Sequence, residues 1–451
     1  MKKIHDPFRR QLFALVLPIA AQNLLSALVS ASDALMLGLL DQAPLSAVSL
    51  ATQVQFVLNL FFAALTIGSG VLAAQYWGKG DKEAVENVLM IALRGSMLTA
   101  AAFFLTARFC PAFLMRLLTN EPELIALGAL YLRTASWSYL FMGVSQVYLC
   151  IMKNSGRTLR STVYGSSALI LNLGLNALLI FGLLGLPRLE ITGAALATSL
   201  ARGAELVLVL AENLRSEVVR IRFRGREARR AGLRRDFWKY TLPVLANELI
   251  WGGGVTAFTA IMGRLGPDAV AANSVANIVL NVAACVCLGL GTGSGIIVGN
   301  ELGRGELALA REYGGRLYRA ALAVGAVSGA VILAASPFLL RLVPQMSDAA
   351  RRHLQEMLLI CALYMVGKAL NSTTVAGIFC AGGDTRFGLL CDAVTSWIVI
   401  IPAGLLAAFV LRLPAAAVFC VLHLDEFVKL PFVYRHYRKY GWVKNLTETN
   451  S

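Results

Sequence analysis

Apolar residues run in long blocks along nearly the whole chain, broken by short polar turns. Each block reaches roughly twenty residues, enough for a helix to cross about 30 Å of hydrocarbon. Lipid offers backbone amides no partner, so such runs must be helical. The pattern predicts six helices in the first half, near 14–38, 51–74, 88–110, 126–151, 162–184 and 191–212. It predicts six more in the second, near 238–262, 274–298, 317–340, 355–380, 387–410 and 414–434. The expected class is an all-α integral membrane protein of two six-helix bundles.

The two halves repeat one another. Leu17-Pro18 matches Leu242-Pro243 at 243 − 18 = 225 positions, and the offset holds without a gap for over sixty residues. Gly38 matches Gly263, Ala47 matches Ala272, and Gly68-Ser69-Gly70 matches Gly293-Ser294-Gly295. Gln75 to Asp81 then aligns with Asn300 to Glu306. A weaker echo sets Gly156-Arg157 against Gly382-Gly383, in turns where glycine serves a backbone with φ > 0. A parallel repeat of membrane bundles is a recurrent transporter plan, with substrate handled between the halves. A duplicated bundle of purely structural use is the alternative.

Composition agrees: 57% of residues are hydrophobic, 15% are charged, and the mean hydropathy is +0.67. A soluble domain would carry about a quarter charged residues. The net charge of +15 could suggest nucleic acid, but its placement argues otherwise. Nine arginines from Arg215 to Arg235 crowd the connection between the halves, Lys2, Lys3, Arg9 and Arg10 precede the first run, and Arg435, Arg438, Lys439 and Lys444 follow the last. The positive-inside rule places both termini and the connection in the cytoplasm. Arg341, Arg351 and Arg352, in a loop expected outside, run against it. The division is then 1–212 for an N-lobe, 213–237 for a basic linker, 238–434 for a C-lobe and 435–451 for a cytoplasmic tail. The first apolar run carries Gln22, Asn23 and Asp33 and reads as a retained helix rather than a signal peptide. The eight cysteines are scattered as small apolar fillers without metal-ligand spacing.

Ionisable residues inside membrane helices are functional candidates by default. Arg202 with Glu205, and Glu426 with Lys429, sit three apart and are expected to pair, with Asp425 beside them as a structural charge network. Asp33, Glu248 and Asp392 have no basic neighbour in sequence. Such a carboxylate takes up a proton near neutral pH, binds a cation such as Na⁺, or is satisfied by neighbouring polar groups. Asn172 and Asn176 share a helix face at a spacing of four, as do Asn273, Asn277 and Asn281. Stripes of this kind line a wet cavity or a helix–helix seam. Gln53, Asn59 and Lys368 complete the candidates for a substrate cavity.

These features together resemble the MATE family, the multidrug and toxic compound extrusion antiporters. The carriers are the Leu-Pro opening of each half, Ser32-Asp33-Ala34-Leu35-Met36-Leu37-Gly38, Ala74-Gln75-Tyr76-Trp77-Gly78-Lys79-Gly80-Asp81 and Ala381-Gly382-Gly383-Asp384-Thr385-Arg386. The resemblance covers nearly the whole chain. It implies two six-helix lobes that export organic, often cationic, compounds in exchange for Na⁺ or H⁺, in a bacterial inner membrane. It also implies no cofactor beyond the coupling ion, no nucleic-acid partner and a monomer in the bilayer. Asp33, Asn172 and Thr198 match the family's N-lobe ion site, where Na⁺ would also meet Asn176. Several members carry Asp at the position of Asn176, so one carboxylate is missing. Glu248 resembles a seventh-helix Glu used for coupling in the C-lobe. The alternative within the same superfamily is a lipid-linked precursor flippase, which should line its cavity with several Arg or Lys. No metal pair, His cluster or nucleophile–base spacing suggests an enzyme.

Overall fold

A computed structural model of the chain describes residues 7–38, 42–185, 187–216, 218–221, 227–343 and 345–448. Residues 222–226, the centre of the expected basic linker, and 449–451 of the expected tail lie outside the described residues. The helices in the first half are α1 (Pro7–Gly38), α2 (Gln42–Lys79), α3 (Lys82–Phe109), the short α4 (Pro111–Arg116), α5 (Pro122–Asn154), α6 (Thr158–Phe181) and α7 (Glu190–Arg215). Those of the second begin with α8 (Glu227–Gly263), α9 (Pro267–Gly303), α10 (Leu307–Leu342) and α11 (Asp348–Asn371). α11 continues through wide π-type turns over Ser372–Phe379. α12 (Thr385–Ala393) and α13 (Ile401–Leu405) belong to one long rod with π-type turns at Val394–Ile400 and Leu406–Val410.

Eleven described helices are long and apolar enough to cross a membrane. The twelfth expected run, 414–434, is interrupted: α14 (Ala415–Leu422) ends and α15 (Asp425–Arg438) begins afresh. The N–H of His423 closes the first on Phe419 and Cys420, and the Leu424 carbonyl accepts from Phe427 and Val428 to open the second. The break sets Asp425 and Glu426 in the first turn of α15, where exposed amides favour negative charge. α8 also starts earlier than the apolar pattern predicts, because its first turns are polar but helical.

The chain forms two compact units, Leu24–Thr241 (the N unit) and Met1–Asn23 with Leu242–Ser451 (the C unit). The division falls within α1 and α8, each close to the proline it carries, Pro18 or Pro243. Proline removes one intrahelical hydrogen bond, so each helix passes between units near a natural weak point.

Small residues set the packing inside each unit. In the N unit, a methyl group added at Gly143 would lie 2.9 Å from the Ala100 side chain, and Ser96 Oγ donates to the Gly143 carbonyl at 2.6 Å. In the C unit, the glycines of α9 serve two faces. Gly289 and Gly293 lie against Ala20 and Val16 of α1, while Gly291 and Gly295 lie against Ser372 and Gly377 beyond α11. Their close spacing reflects contact on both sides. The expected turn glycines do take positive φ, +76° at both Gly156 and Gly383.

The segment after the last helix of each half closes its own unit. In the N unit, Val219 is buried, its carbonyl accepts from the Tyr148 hydroxyl at 3.3 Å, and the Arg220 amide donates to Glu86 at 3.0 Å. At the matching place (441 − 216 = 225 from Ser216) the chain beyond α15 turns back, and Trp442 is wholly buried among Gly314, Tyr437 and Gly382. Any side chain at Gly382 would collide with the Trp442 carbonyl.

Candidate ion and substrate sites

In the N unit the one carboxylate within the first apolar run meets a polar wall. Asn172 and Asn176 project from one face of α6, and Thr198 from α7. Asn176 Nδ2 donates to Asp33 Oδ1 at 2.6 Å and lies 3.4 Å from Asn172 Oδ1. Asn172 Nδ2 in turn reaches the Thr198 hydroxyl at 3.4 Å, and that hydroxyl donates to the Ala194 carbonyl at 3.0 Å. The four residues expected from sequence thus form one chain of hydrogen bonds. Tyr131 of α5 joins them, buried beside Thr198 and within electrostatic reach of Asp33. Nothing in its spacing pointed to it. Asn176 Oδ1 is a buried acceptor without a partner, as a proton donor or a hard cation would need.

The C unit holds a larger cluster. Lys429 of α15 lies 2.8 Å from Asp392, 3.2 Å from Glu426 and 3.9 Å from Asp425. Lys368 of α11 lies 3.3 Å from Glu426. Asn371, one helical turn beyond Lys368, donates to Glu426 Oε2 at 2.8 Å, and the Tyr364 hydroxyl reaches Glu426 Oε1 at 3.4 Å. Tyr364, Lys368 and Asn371 are spaced i, i+4, i+7, a helical face visible in the sequence once α11 is placed.

Two expectations need correction here. Asp392 has no basic neighbour along the chain, but the fold brings Lys429 to it across 37 positions, so it is not an unpaired acid. Lys368, expected in a substrate cavity, is engaged inside the acid cluster. The pairs expected from i, i+3 spacing are present: Arg202 with Glu205 at 2.6 Å, and Glu426 with Lys429. Glu248 of α8 feels the like charge of Asp392 and the opposite charge of Lys368, whose nearest ion-pair partners are Lys429 and Glu426.

The remaining polar candidates are less organised. Asn277 Nδ2 donates to Asn273 Oδ1 at 3.0 Å along α9, so these two are linked on one face, while Asn281 lies on an exposed stretch of the same helix. Gln53 and Asn59 of α2 are likewise exposed on the N unit.

Comparison with known proteins agrees with this architecture. The MatE family model matches residues 18–178 and 243–406, one copy in each half. The chain is 22% identical to the uncharacterized transporter YisQ of Bacillus subtilis, over 96% of this chain and 95% of that one. It is 25% identical to the multidrug resistance protein PmpM of Pseudomonas aeruginosa, over 88% and 83% respectively. Among solved structures, the Vibrio cholerae MATE transporter VcmN in its bent form superposes with a TM-score of 0.85 at 18% identity, covering 96% of this chain and 97% of that one. A MATE structure in complex with MaL6 gives 0.87 at 18% identity, covering 97% of each. With the family model matched in both halves and the helical plan shared from end to end, this chain belongs to the MATE family of efflux transporters.

Proposed function

We infer that the chain is a secondary antiporter that exports organic, cationic or amphipathic compounds in exchange for H⁺ or Na⁺, by rocking of its two units. Observed relatives carry multidrug resistance names, which is support for this reading in the broad sense. The observation that carries it is a carboxylate deep in an apolar helix of each unit, set among acceptors that lack a counter-charge. Asp33 is held by a neutral amide rather than a base. Glu248 stands beside an acid cluster whose two lysines already serve other carboxylates. Either group gains from a proton or a cation when its site is closed to water, and releases it when the site is wet. At the N-unit site the oxygens of Asp33, Asn172, Asn176 and Thr198 suit a proton or a Na⁺ ion as co-substrate. The missing carboxylate at Asn176 weakens the attraction for Na⁺, so Glu248 is assigned the principal coupling role. In a bacterial inner membrane the termini and linker would face the cytoplasm.

The flippase alternative calls for uncompensated basic groups at mid-membrane. Lys368 and Arg202 are each paired with a carboxylate, which favours the antiporter. The test is efflux of an organic cation from proteoliposomes under an imposed pH gradient and, separately, an imposed Na⁺ gradient. Efflux driven by one of them is expected. Efflux indifferent to both gradients would sink the antiporter reading.

A further inference from the structure

We propose that Lys368 is a tethered cation that occupies, in the C unit's acid cluster, the place an alkali ion would take, and so leaves H⁺ as the coupling ion there. The proposal rests on the antiporter reading and adds to it the identity of the ion.

The cluster contains three carboxylates, Asp392, Asp425 and Glu426, against two ammonium groups, Lys368 and Lys429, and Glu248 stands beside it within electrostatic reach. Fully ionised, the cluster and Glu248 together would carry 4 − 2 = 2 uncompensated negative charges in a buried setting, a costly arrangement that calls for bound cations or protons. A second observation points to an occupant. Asn371 is 5% exposed, and its Oδ1 has no hydrogen-bond partner although its Nδ2 is fixed on Glu426. Asp425 Oδ1 is likewise without a partner. Carboxylate, amide and hydroxyl oxygens are donors of the kind a hard cation takes, yet no group of three or more His, Cys, Asp or Glu among the described residues is gathered to hold a metal ion. One position among these oxygens already holds a positive charge, the Lys368 Nζ, 3.3 Å from Glu426 Oε1.

The groups around Lys368 are accounted for from each neighbouring element. They are Glu248 on α8, Cys287 on α9, Asp392 on α12, His423 at the α14–α15 break, and Asp425 and Glu426 on α15. Lys429 brings the only other positive charge of the cluster, and Asp392 already binds it.

A lysine on a stem cannot leave with the substrate. It repels Na⁺ from the site while leaving the surplus acids free to exchange protons. The test is the melting temperature of the purified full-length protein at alkaline pH, in sodium chloride and in choline chloride of equal ionic strength. All samples carry Asp33→Asn, so that the N-unit carboxylate contributes nothing. With Lys368 in place the two salts should give the same melting temperature. Lys368→Asn removes the tethered charge and should create sodium binding, raising the melting temperature in sodium by on the order of 1–3 °C. Lys368→Arg should remain indifferent to sodium, and Lys368→Gln serves as a second neutral variant should the first not fold. Sodium stabilisation with Lys368 intact overturns the proposal by itself, and so does a folded neutral variant that ignores sodium. Failure of every ion gradient to drive efflux would instead remove the antiporter reading, a result separate from the melting data.

Discussion

Asp33 and Glu248 differ in what their neighbours leave them free to do. Asp33 is tied by a short hydrogen bond to Asn176 inside a neutral amide–hydroxyl chain. Glu248 stands at the edge of a charged cluster and is answered by no neutral partner of that kind. Glu248→Gln keeps size and hydrogen bonding but removes the exchangeable charge. It should cut gradient-driven efflux about tenfold or more with normal amounts of protein in the membrane. Asp33→Asn should have a smaller effect, measured in the same proteoliposomes. Silence from Asp33→Asn with activity retained in Glu248→Gln would move the coupling site to the N unit. Part of this was legible in the sequence. Asn172 and Asn176 share a face by spacing alone, and the resemblance brought Asp33 and Thr198 to them. The pairing of Asp392 with Lys429 was not legible, because it is made across two helices whose facing is decided by packing.

At the scale of elements, the periodic signal located the helices but not their interruptions. The break at His423–Leu424 carries neither proline nor glycine, although the apolar run Ala415–Leu422 gives way there to His423, Asp425, Glu426 and Lys429. What favours the break is tertiary: it places Glu426 within reach of Lys368, Asn371 and Lys429 together. The tail after α15 was expected as a charged cytoplasmic extension, yet its single tryptophan is a core residue. Removing a fully buried aromatic side chain typically costs about 3–5 kcal/mol. Trp442→Ala should therefore lower the thermal stability of the protein markedly, while Lys439→Ala, on the exposed end of α15, should change it little. Equal and small effects from both substitutions in a thermal melt would show that the tail is not part of the C unit's core.

For the whole molecule, the 225-residue repeat announced two bundles, and the family match falls once in each half. What the repeat did not announce is that the halves have diverged in chemistry. The position offset by 225 from Asp33 is Phe258, and those offset by 225 to 227 from Asn172 and Asn176 are Trp397, Ile398 and Val399, and Ile401, Pro402 and Ala403, so the N-unit site has no polar counterpart in the C unit. Topology gives a further expectation. Cys110 is exposed at the end of the 28-residue α3, a length of about 42 Å that carries it across the bilayer from the basic α2–α3 turn. An impermeant thiol reagent applied to intact cells should label native Cys110. It should not label a cysteine at Arg235, within the basic linker, in a background lacking Cys110. Labelling at 235 with none at 110 would invert the orientation.

Exchange is the central claim, and its most direct measurement reverses the usual driving force. Proteoliposomes loaded with an organic cation are diluted into substrate-free medium with pH and Na⁺ equal on both sides. As the cation leaves down its own gradient, a coupled antiporter must carry H⁺ or Na⁺ inward. The expected result is acidification of the lumen in step with efflux, lost in Glu248→Gln. Efflux that proceeds with neither proton nor sodium entering would contradict it.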